Sequence, residues 1–251
     1  MSQADRFQAF AALHKPGAPL ILYNVWDAGS ARAVAEAGAP ALATGSWSVA
    51  AAQGFSDAES LPLDMAIANA ERVVRAVDVP VSIDFEGGYA VEPERLAVNL
   101  ERLAGTGAVG CNFEDQVIGA EGIHPIALQC ERIRAARAAV GPDFFVNART
   151  DIFLQAPRET HDAAMVEQAL ERGRAYAEAG ASGFFVPGLA ELTLLARVCE
   201  ASPLPVNFMA FPGAPSAADV AAAGVARISH GPFPYRTMLN ALKQAAEVIY
   251  G

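Results

Sequence analysis

Short apolar runs recur along the chain, each followed by a stretch with apolar residues at three- and four-residue spacing. The runs are Leu20–Asn24, Ala41–Gly45, Val79–Phe85, Val109–Glu114, Phe144–Arg149, Gly183–Pro187, Leu204–Met209 and Ala226–His230. Most are continuous in hydrophobicity rather than alternating, as expected of parallel strands covered on both faces. The helical spacing predicts helices over Leu63–Val77, Pro93–Thr106, Ile126–Val140, His161–Ala179, Leu189–Ala201 and Ser216–Ala223. A further helix is predicted over 2–14, ahead of the first strand, and a last one over Pro234–Tyr250. Gly38, Gly180 and Gly224 each follow a small-residue segment and supply the positive φ that ends a helix. Pro93 stands where a helix starts and its missing N–H costs nothing.

Eight strand–helix units in 251 residues spell a (β/α)8 TIM barrel with an extra N-terminal helix. No composition shift or low-complexity linker divides the chain, so residues 1–251 read as one barrel domain. The runner-up, a doubly wound open sheet, would carry Gly-x-Gly-x-x-Gly after its first strand, and this chain does not.

Charge and cysteine usage narrow the function. With 28 acids against 18 bases the net charge is −10, which repels phosphate backbones and anionic lipid. Nucleic-acid and membrane partners are therefore not expected. An acidic substrate is still acceptable where a metal or a local Arg reverses the field. Cys111, Cys130 and Cys199 are odd in number and far apart, and read as free thiols in a reducing compartment. The N-terminus lacks the basic-then-apolar order of a signal peptide, and no apolar run approaches the ~18 residues of a membrane helix. A soluble, cytoplasmic protein is expected.

In a barrel the chemistry belongs to the C-terminal ends of the strands. The second strand ends in Thr44-Gly45-Ser46-Trp47, the third in Asp84-Phe85-Glu86-Gly87-Gly88-Tyr89, the fourth in Glu114-Asp115-Gln116 and the fifth in Asn147-Ala148-Arg149-Thr150-Asp151. Carboxylates at adjacent tips repel one another unless something positive lies between them. A hard divalent cation answers that, and Mg2+ keeps several waters while taking one or two carboxylates directly. The competing reading makes Asp84 and Glu86 ordinary solvated loop acids and pairs Arg149 with Glu114.

These stretches resemble the isocitrate lyase/phosphoenolpyruvate mutase superfamily, and within it the short, mutase-like branch. The resemblance is carried by Tyr23-Asn-Val-Trp-Asp27-Ala-Gly-Ser-Ala-Arg32, Ala43-Thr-Gly-Ser46, Gly54-Phe-Ser-Asp57, Ile83-Asp84-Phe-Glu86-Gly-Gly-Tyr89, Asn112-Phe-Glu114-Asp-Gln116 and Asn147-Ala-Arg-Thr-Asp151, in order from about residue 20 to 235. It implies a Mg2+-dependent enzyme that cleaves or forms a C–C or P–C bond in a small 2-oxo acid or related carboxylate through an enolate-like species. By analogy Asp84 binds the metal directly, and Asp57, Glu86 and Glu114 hold its water shell. Ser46, with the backbone N–H groups of Gly45 to Trp47, cradles the substrate carboxylate, and Arg149 neutralises a second anionic group. Tyr23 and Asp27 line the floor. Members of the family form oligomers, some exchanging the last helix, so a homodimer or homotetramer is expected.

Two departures from the family pattern bear on the reaction. The family's lyases carry Lys-Lys-Cys-Gly-His after the fourth strand. Here that stretch is Val117-Ile-Gly-Ala-Glu121-Gly-Ile-His124-Pro125, which argues against isocitrate- or methylisocitrate-lyase chemistry. Glu86 stands where the mutase pattern has Asp. The alternative to an enzyme is a non-catalytic binder of a Mg2+–2-oxo acid complex that has lost the acid/base loop. His124 and His230 read as a loop residue and a strand-end residue that are either acid/base groups or structural. Asn207 either reaches the mouth or satisfies backbone groups inside the barrel. Lys15 and Lys243, the only lysines, are near the termini, so Schiff-base chemistry has no nucleophile.

Overall fold

The structure, a computed structural model, describes residues 2–251. Eight strands run β1 (Leu20–Leu22), β2 (Leu42–Ala43), β3 (Val81–Asp84), β4 (Gly110–Glu114), β5 (Phe145–Arg149), β6 (Gly183–Phe185), β7 (Val206–Met209) and β8 (Arg227–Ser229). Each lies inside a predicted apolar run. The sheet order is β1-β8-β7-β6-β5-β4-β3-β2 with every printed ladder parallel. Between β2 and β1 the barrel closes through a bridge from Val25 to Thr44 and the Val25 N–H donating to the Ala43 carbonyl at 2.9 Å. This is the expected (β/α)8 barrel.

The helices are α1 (Gln3–Ala12), α2 (Ala28–Glu36), α3 (Ser46–Ala52), α4 (Leu63–Arg75), α5 (Pro93–Ala104), α6 (Ile126–Val140), α7 (Ala163–Ala179), α8 (Leu192–Ala201), α9 (Ala217–Ala222) and α10 (Phe233–Tyr250). The short α3 directly follows the Thr44-Gly45 tip; its run Ser46-Trp-Ser-Val-Ala is too short for periodicity to reveal a helix. The main core lies between strands and helices, where Phe85, Phe113, Phe184, Phe208 and Ile228 meet the buried faces of α4 to α9.

Inside the barrel the lower end is plugged from α1. Phe10 is fully buried with Leu20, Leu22, Ala43 and Phe145, and the His14 ring stacks on Phe145 at 4.3 Å. Gly110 leaves space for Phe145, since a Cβ there would overlap the Phe145 backbone and side chain. The layer above is polar. Ser82, Asn112, Asn147, Asn207 and Arg227 are all buried. Asn147 Nδ2 donates to Asn112 Oδ1 at 2.8 Å and to Asn207 Oδ1 at 3.0 Å, and Arg227 Nη2 donates to Asn112 Oδ1 at 3.1 Å. Buried polar groups in low dielectric persist when they bond to one another, and this layer forms the platform on which the mouth is built.

The last helix stands apart. Of α10 only Pro234 and Tyr235 are buried, while Leu239, Leu242, Val248, Ile249 and Tyr250 are exposed. Among the described residues no helix is long and apolar enough to cross a membrane.

Candidate active site

A cavity of about 210 Å³ opens at the C-terminal mouth, bounded on its polar side by Ser46, Asp57, Asp84, Asn112 and Arg149. Side chains two residues apart on a strand share a face, so Asn112 and Glu114 on β4, and Asn147 and Arg149 on β5, belong to successive inward layers. Asp84 is fixed from two sides: its carboxylate accepts the Ser46 N–H at 3.0 Å and Asn112 Nδ2 at 3.2 Å. The backbone N–H of Asp84 is in turn tied to Thr44 Oγ1 at 2.9 Å. Burial, and then the neighbouring Asp84 charge, push the Asp57 carboxyl above its usual range. Two carboxylates facing one small cavity, one of them held up by the other, form a site that a cation would relieve.

Arg149 is gripped rather than free. Its Nε and Nη2 donate to the two oxygens of Asp151 at 2.6 and 2.8 Å, and Nη1 meets Glu114 Oε2 at 2.8 Å. Burial works against the guanidinium charge, but Asp151 and Glu114 outweigh it and hold its pKa well above the ordinary value. Glu114 itself is pushed upward, first by burial and against the pull of Arg149. The Glu114–Arg149 pair of the competing reading is therefore present, at the edge of the same cavity.

Asp151 is positioned by Asp115, which is completely buried. Asp115 accepts the Asp151 N–H at 3.0 Å, the Tyr176 hydroxyl at 2.7 Å and Arg172 Nη1 at 3.1 Å. Burial raises its carboxyl, and these three donors oppose the rise. The chain Tyr176/Arg172–Asp115–Asp151–Arg149 thus carries support from α7 to the mouth.

Glu86 turns elsewhere. Its Oε1 accepts the Glu59 N–H at 2.9 Å and its Oε2 the Tyr89 hydroxyl at 3.2 Å, while Glu59 returns the bond by accepting the Tyr89 N–H at 2.8 Å. Burial pushes the Glu86 carboxyl up to about 8, with Asp57, Asp84 and Glu59 adding to it. Ala58, Glu59, Glu86 and Tyr89 are the four non-glycine residues at positive φ among the described residues, and all lie in these two clasped loops. Such backbone costs of order 1 kcal/mol or more per residue, and here it is held by the reciprocal bonds that set the loop bearing Asp57.

The expected site residues are thus only partly brought together. Gly45, Ser46, Trp47, Asp57, Asp84 and Arg149 line the cavity. Glu114 touches it through Arg149, and Glu86 lies behind Asp84 against a second, smaller hollow with Thr44, Asn69 and Tyr89. Of the amides expected to cradle a carboxylate, that of Gly45 goes to the Val25 carbonyl and that of Ser46 to Asp84. Tyr23 is largely exposed with its ring 5.2 Å from that of His230, and Asp27 caps α2 by accepting the Ser30 N–H at 2.7 Å. Asn207 takes the internal role: its amide donates to the Phe208 carbonyl at 2.7 Å and to Ser229 Oγ at 3.2 Å. His124 is buried beneath the loop after β4, its N–H donating to the Asp115 carbonyl at 2.7 Å, and His230 Nδ1 is 3.1 Å from the Leu22 carbonyl.

Asn24 and Asn112 were not foreseen. Asn24 reaches across the barrel top, donating to the Thr44 carbonyl at 2.8 Å and accepting the N–H groups of His230 and Gly231. For Asn112 the usable signal is a polar residue in an otherwise largely apolar strand, two positions before the charged tip residue Glu114; Asn24, just past β1, has no such mark. Besides Trp47, which was expected, the cavity has an apolar lining of Leu154, Phe185, Met209 and Pro232 that gave no signal in the sequence.

Among the described residues no three His, Cys, Asp or Glu side chains converge closely enough to hold a metal by themselves. The oxygen donors nevertheless fit a hydrated Mg2+, which takes one or two carboxylates and keeps water in its remaining positions.

The chain matches the family model described as phosphoenolpyruvate phosphomutase over residues 10–250. It is 34% identical over 242 residues to an uncharacterised protein of Mycobacterium tuberculosis, covering 96% of this chain and 88% of that one. It is 28% identical over 264 residues to the 2-methylisocitrate lyase of Salmonella typhimurium, covering 100% and 85% respectively. A Burkholderia cenocepacia crystal structure described as a candidate phosphonomutase superposes with a TM-score of 0.94 at 48% identity, covering 99% of each chain. With fold, strand-tip motifs and these similarities in agreement, the chain belongs to the phosphoenolpyruvate phosphomutase family of the isocitrate lyase/phosphoenolpyruvate mutase superfamily.

Proposed function

We propose that the protein is a Mg2+-dependent enzyme that cleaves or forms a C–C or P–C bond in a small 2-oxo acid or related carboxylate by way of an enolate-like species. The observation that carries this reading is the shared cavity of Asp57, Asp84, Ser46 and Arg149 at the C-terminal mouth of the barrel. When bound there, Mg2+ supplies Lewis-acid stabilisation of negative charge on a carbonyl oxygen. Asp84 would hold it directly, and Asp57 and Glu114 would bond its waters. Glu86 would act on that shell only by leaving its bonds to Glu59 and Tyr89; in its present place it sets the Asp57 loop.

The protein's own groups do the rest. Ser46, the Trp47 amide and the two uncommitted N–H groups of Arg149 orient the substrate. Three of the five guanidinium donors are spent on Asp151 and Glu114, so the fork is rigid when substrate arrives. The loop 117–125 contributes no residue to the cavity lining, and we infer from this that the mouth is open to water on that side. An open mouth favours a lyase, hydrolase or decarboxylase over an intramolecular group transfer that must exclude water.

We further propose a homodimer or homotetramer in the cytoplasm. The exposed apolar residues of α10 support the assembly, and three cysteines without a disulfide among the described residues support the compartment. The test of the function is oxalate binding by calorimetry with and without EDTA, followed by a panel of 2-oxo acids assayed for released pyruvate, CO2 or phosphate. Oxalate binding only with Mg2+, plus turnover of a panel member, is the expected result. Equal binding after EDTA would remove the metal from the site, and Mg2+-dependent binding without any turnover would mark a non-catalytic binder.

A further inference from the structure

Arg227, the first residue of β8, is 1% exposed and reaches into the polar layer beneath the mouth. Its Nη2 donates to Asn112 Oδ1 at 3.1 Å, while Nε and Nη1 meet no acceptor among the described residues. Among the described residues no carboxylate stands within ion-pair distance of it. Burial lowers its pKa to about 10, and Asp84 is the carboxylate that opposes the fall, so the group is charged at neutral pH. A buried cation without a counter-ion costs stability, and exchanging a buried charge for an apolar group of similar size is often neutral or stabilising. Packing therefore gives no reason for an Arg at this position.

What Arg227 touches leads to the proposed metal site, on whose reading this step rests. Asn112 lies in register with Asp84, and its Nδ2 donates to Asp84 Oδ1 at 3.2 Å. A guanidinium only donates and an ionised carboxylate only accepts. The amide between them satisfies both in one orientation, with its oxygen to Arg227 and its nitrogen to Asp84. Turned over, its NH2 would confront the donors of Arg227 and Asn147, and its oxygen would confront the carboxylate. Asn147 holds the same oxygen at 2.8 Å as a neutral donor. Arg227 adds a charged donor, whose bond is about twice as strong and polarises the amide towards Asp84. The second Asp84 oxygen is taken by the Ser46 N–H, so Asn112 is what fixes the first.

We infer that Arg227 is a positioning residue for the metal site, holding the Asp84 carboxylate in its present pose through the Asn112 amide. It stands outside the cavity lining and touches neither substrate nor metal. Its cost to the fold and its service to the site are separable: removing it should leave stability intact and weaken binding at Asp84.

The experiment is calorimetry of oxalate binding to the full-length protein with Mg2+ and with EDTA, alongside thermal melting of the same samples. Arg227→Met should melt at or above the parent temperature yet bind oxalate about tenfold more weakly, as the loss of one charge-assisted hydrogen bond predicts. Arg227→Lys, which keeps a charged donor, should recover most of that affinity. In an Asn112→Ala background, Arg227→Met should leave affinity nearly unchanged, because its path to Asp84 is gone. Parent-like affinity in Arg227→Met, an equal loss with and without Asn112, or a large fall in Tm marking a merely structural group would each overturn the inference. A metal-free measurement separates it from the metal reading. In nitrogen-15 spectra the Asn112 side-chain NH2 pair, assigned by its disappearance in Asn112→Ala, should shift and exchange faster with solvent in Arg227→Met. Oxalate binding by the parent that is indifferent to EDTA would refute the metal reading, and this signal would then decide whether Arg227 holds Asn112: an unmoved pair overturns the inference.

Discussion

Asp115→Asn tests how the mouth is supported. The substitution keeps the side chain's size but replaces a carboxylate by an amide with one accepting oxygen. At present Oδ2 takes the Tyr176 hydroxyl and Arg172 Nη1, and Oδ1 takes the Asp151 N–H. In the variant the amide NH2 must confront a donor on one side or the other. Arg172, only 12% exposed along its side chain, keeps its charge and loses its carboxylate. Breaking one partner of a buried pair costs about 3–5 kcal/mol. At roughly 2–4 °C per kcal/mol for a chain of this size, Tm should fall by about 6–20 °C. Adding Arg172→Met removes the orphaned charge, so the double variant should regain most of that loss. The cycle should give a coupling of about 2 kcal/mol or more. Thermal denaturation followed by circular dichroism measures all four proteins. Because Asp115 also anchors Asp151, and Asp151 grips Arg149, the single variant should bind 2-oxo acids at least tenfold more weakly even at 10 °C, where it is folded. A Tm within 3 °C of the parent, or no coupling with Arg172, would refute the chain of support from α7 to Arg149.

Three other outcomes follow from the same geometry. Asp84→Ala should abolish Mg2+-dependent oxalate binding while retaining a cooperative melt, since the Ser46 N–H and Asn112 amide it releases lie beside solvent in the cavity; undiminished binding would remove Asp84 from its role. Burial and the nearby Arg227 charge lower the pKa of His14 to about 3 in the folded protein, against ~6.5 in the unfolded chain. The unfolded chain therefore takes up a proton that the folded one refuses: stability is full above pH 6.5 and falls as the pH drops towards 3. The loss should be about 2 kcal/mol at pH 5 relative to pH 8, and urea midpoints should show it vanishing in His14→Phe. If the proposed homodimer or homotetramer assembles through α10, Leu239→Glu with Leu242→Glu should give a monomer in light scattering where the parent is larger, with the barrel's melting profile still cooperative; a monomeric parent, or an unchanged mass in the variant, would refute that interface.

The sequence by itself determined the barrel. Continuous apolar runs alternating with three- and four-residue spacing allow one economical arrangement, parallel strands covered by helices, and all eight strands fall within the runs. Their ends were less legible, because Asn24 or Pro187 can lie next to a strand without joining its ladder, and the seven-residue α3 is too short to show a period. The charged tips were equally visible: Asp84, Glu114 and Arg149 stand at strand ends, and a barrel aims strand ends at one mouth.

What only the tertiary structure decided is which partner each side chain takes. Glu86 and Asp84 are two residues apart and looked alike in sequence, yet positive φ at Glu86 and a returning bond from Glu59 turn the first into a clasp between loops. Asn207 was suited either to the mouth or to the interior, and the neighbouring Asn147 and Ser229 settle it inside. The apolar wall of Leu154, Phe185 and Met209 comes from three loops and strands that no local pattern connects. Periodicity reports which face of an element is buried, and position along a strand reports who can reach the mouth. Hydrogen-bond partners and cavity walls depend on residues over a hundred positions apart, such as Asn112 and Arg227, and exist only once the barrel has closed.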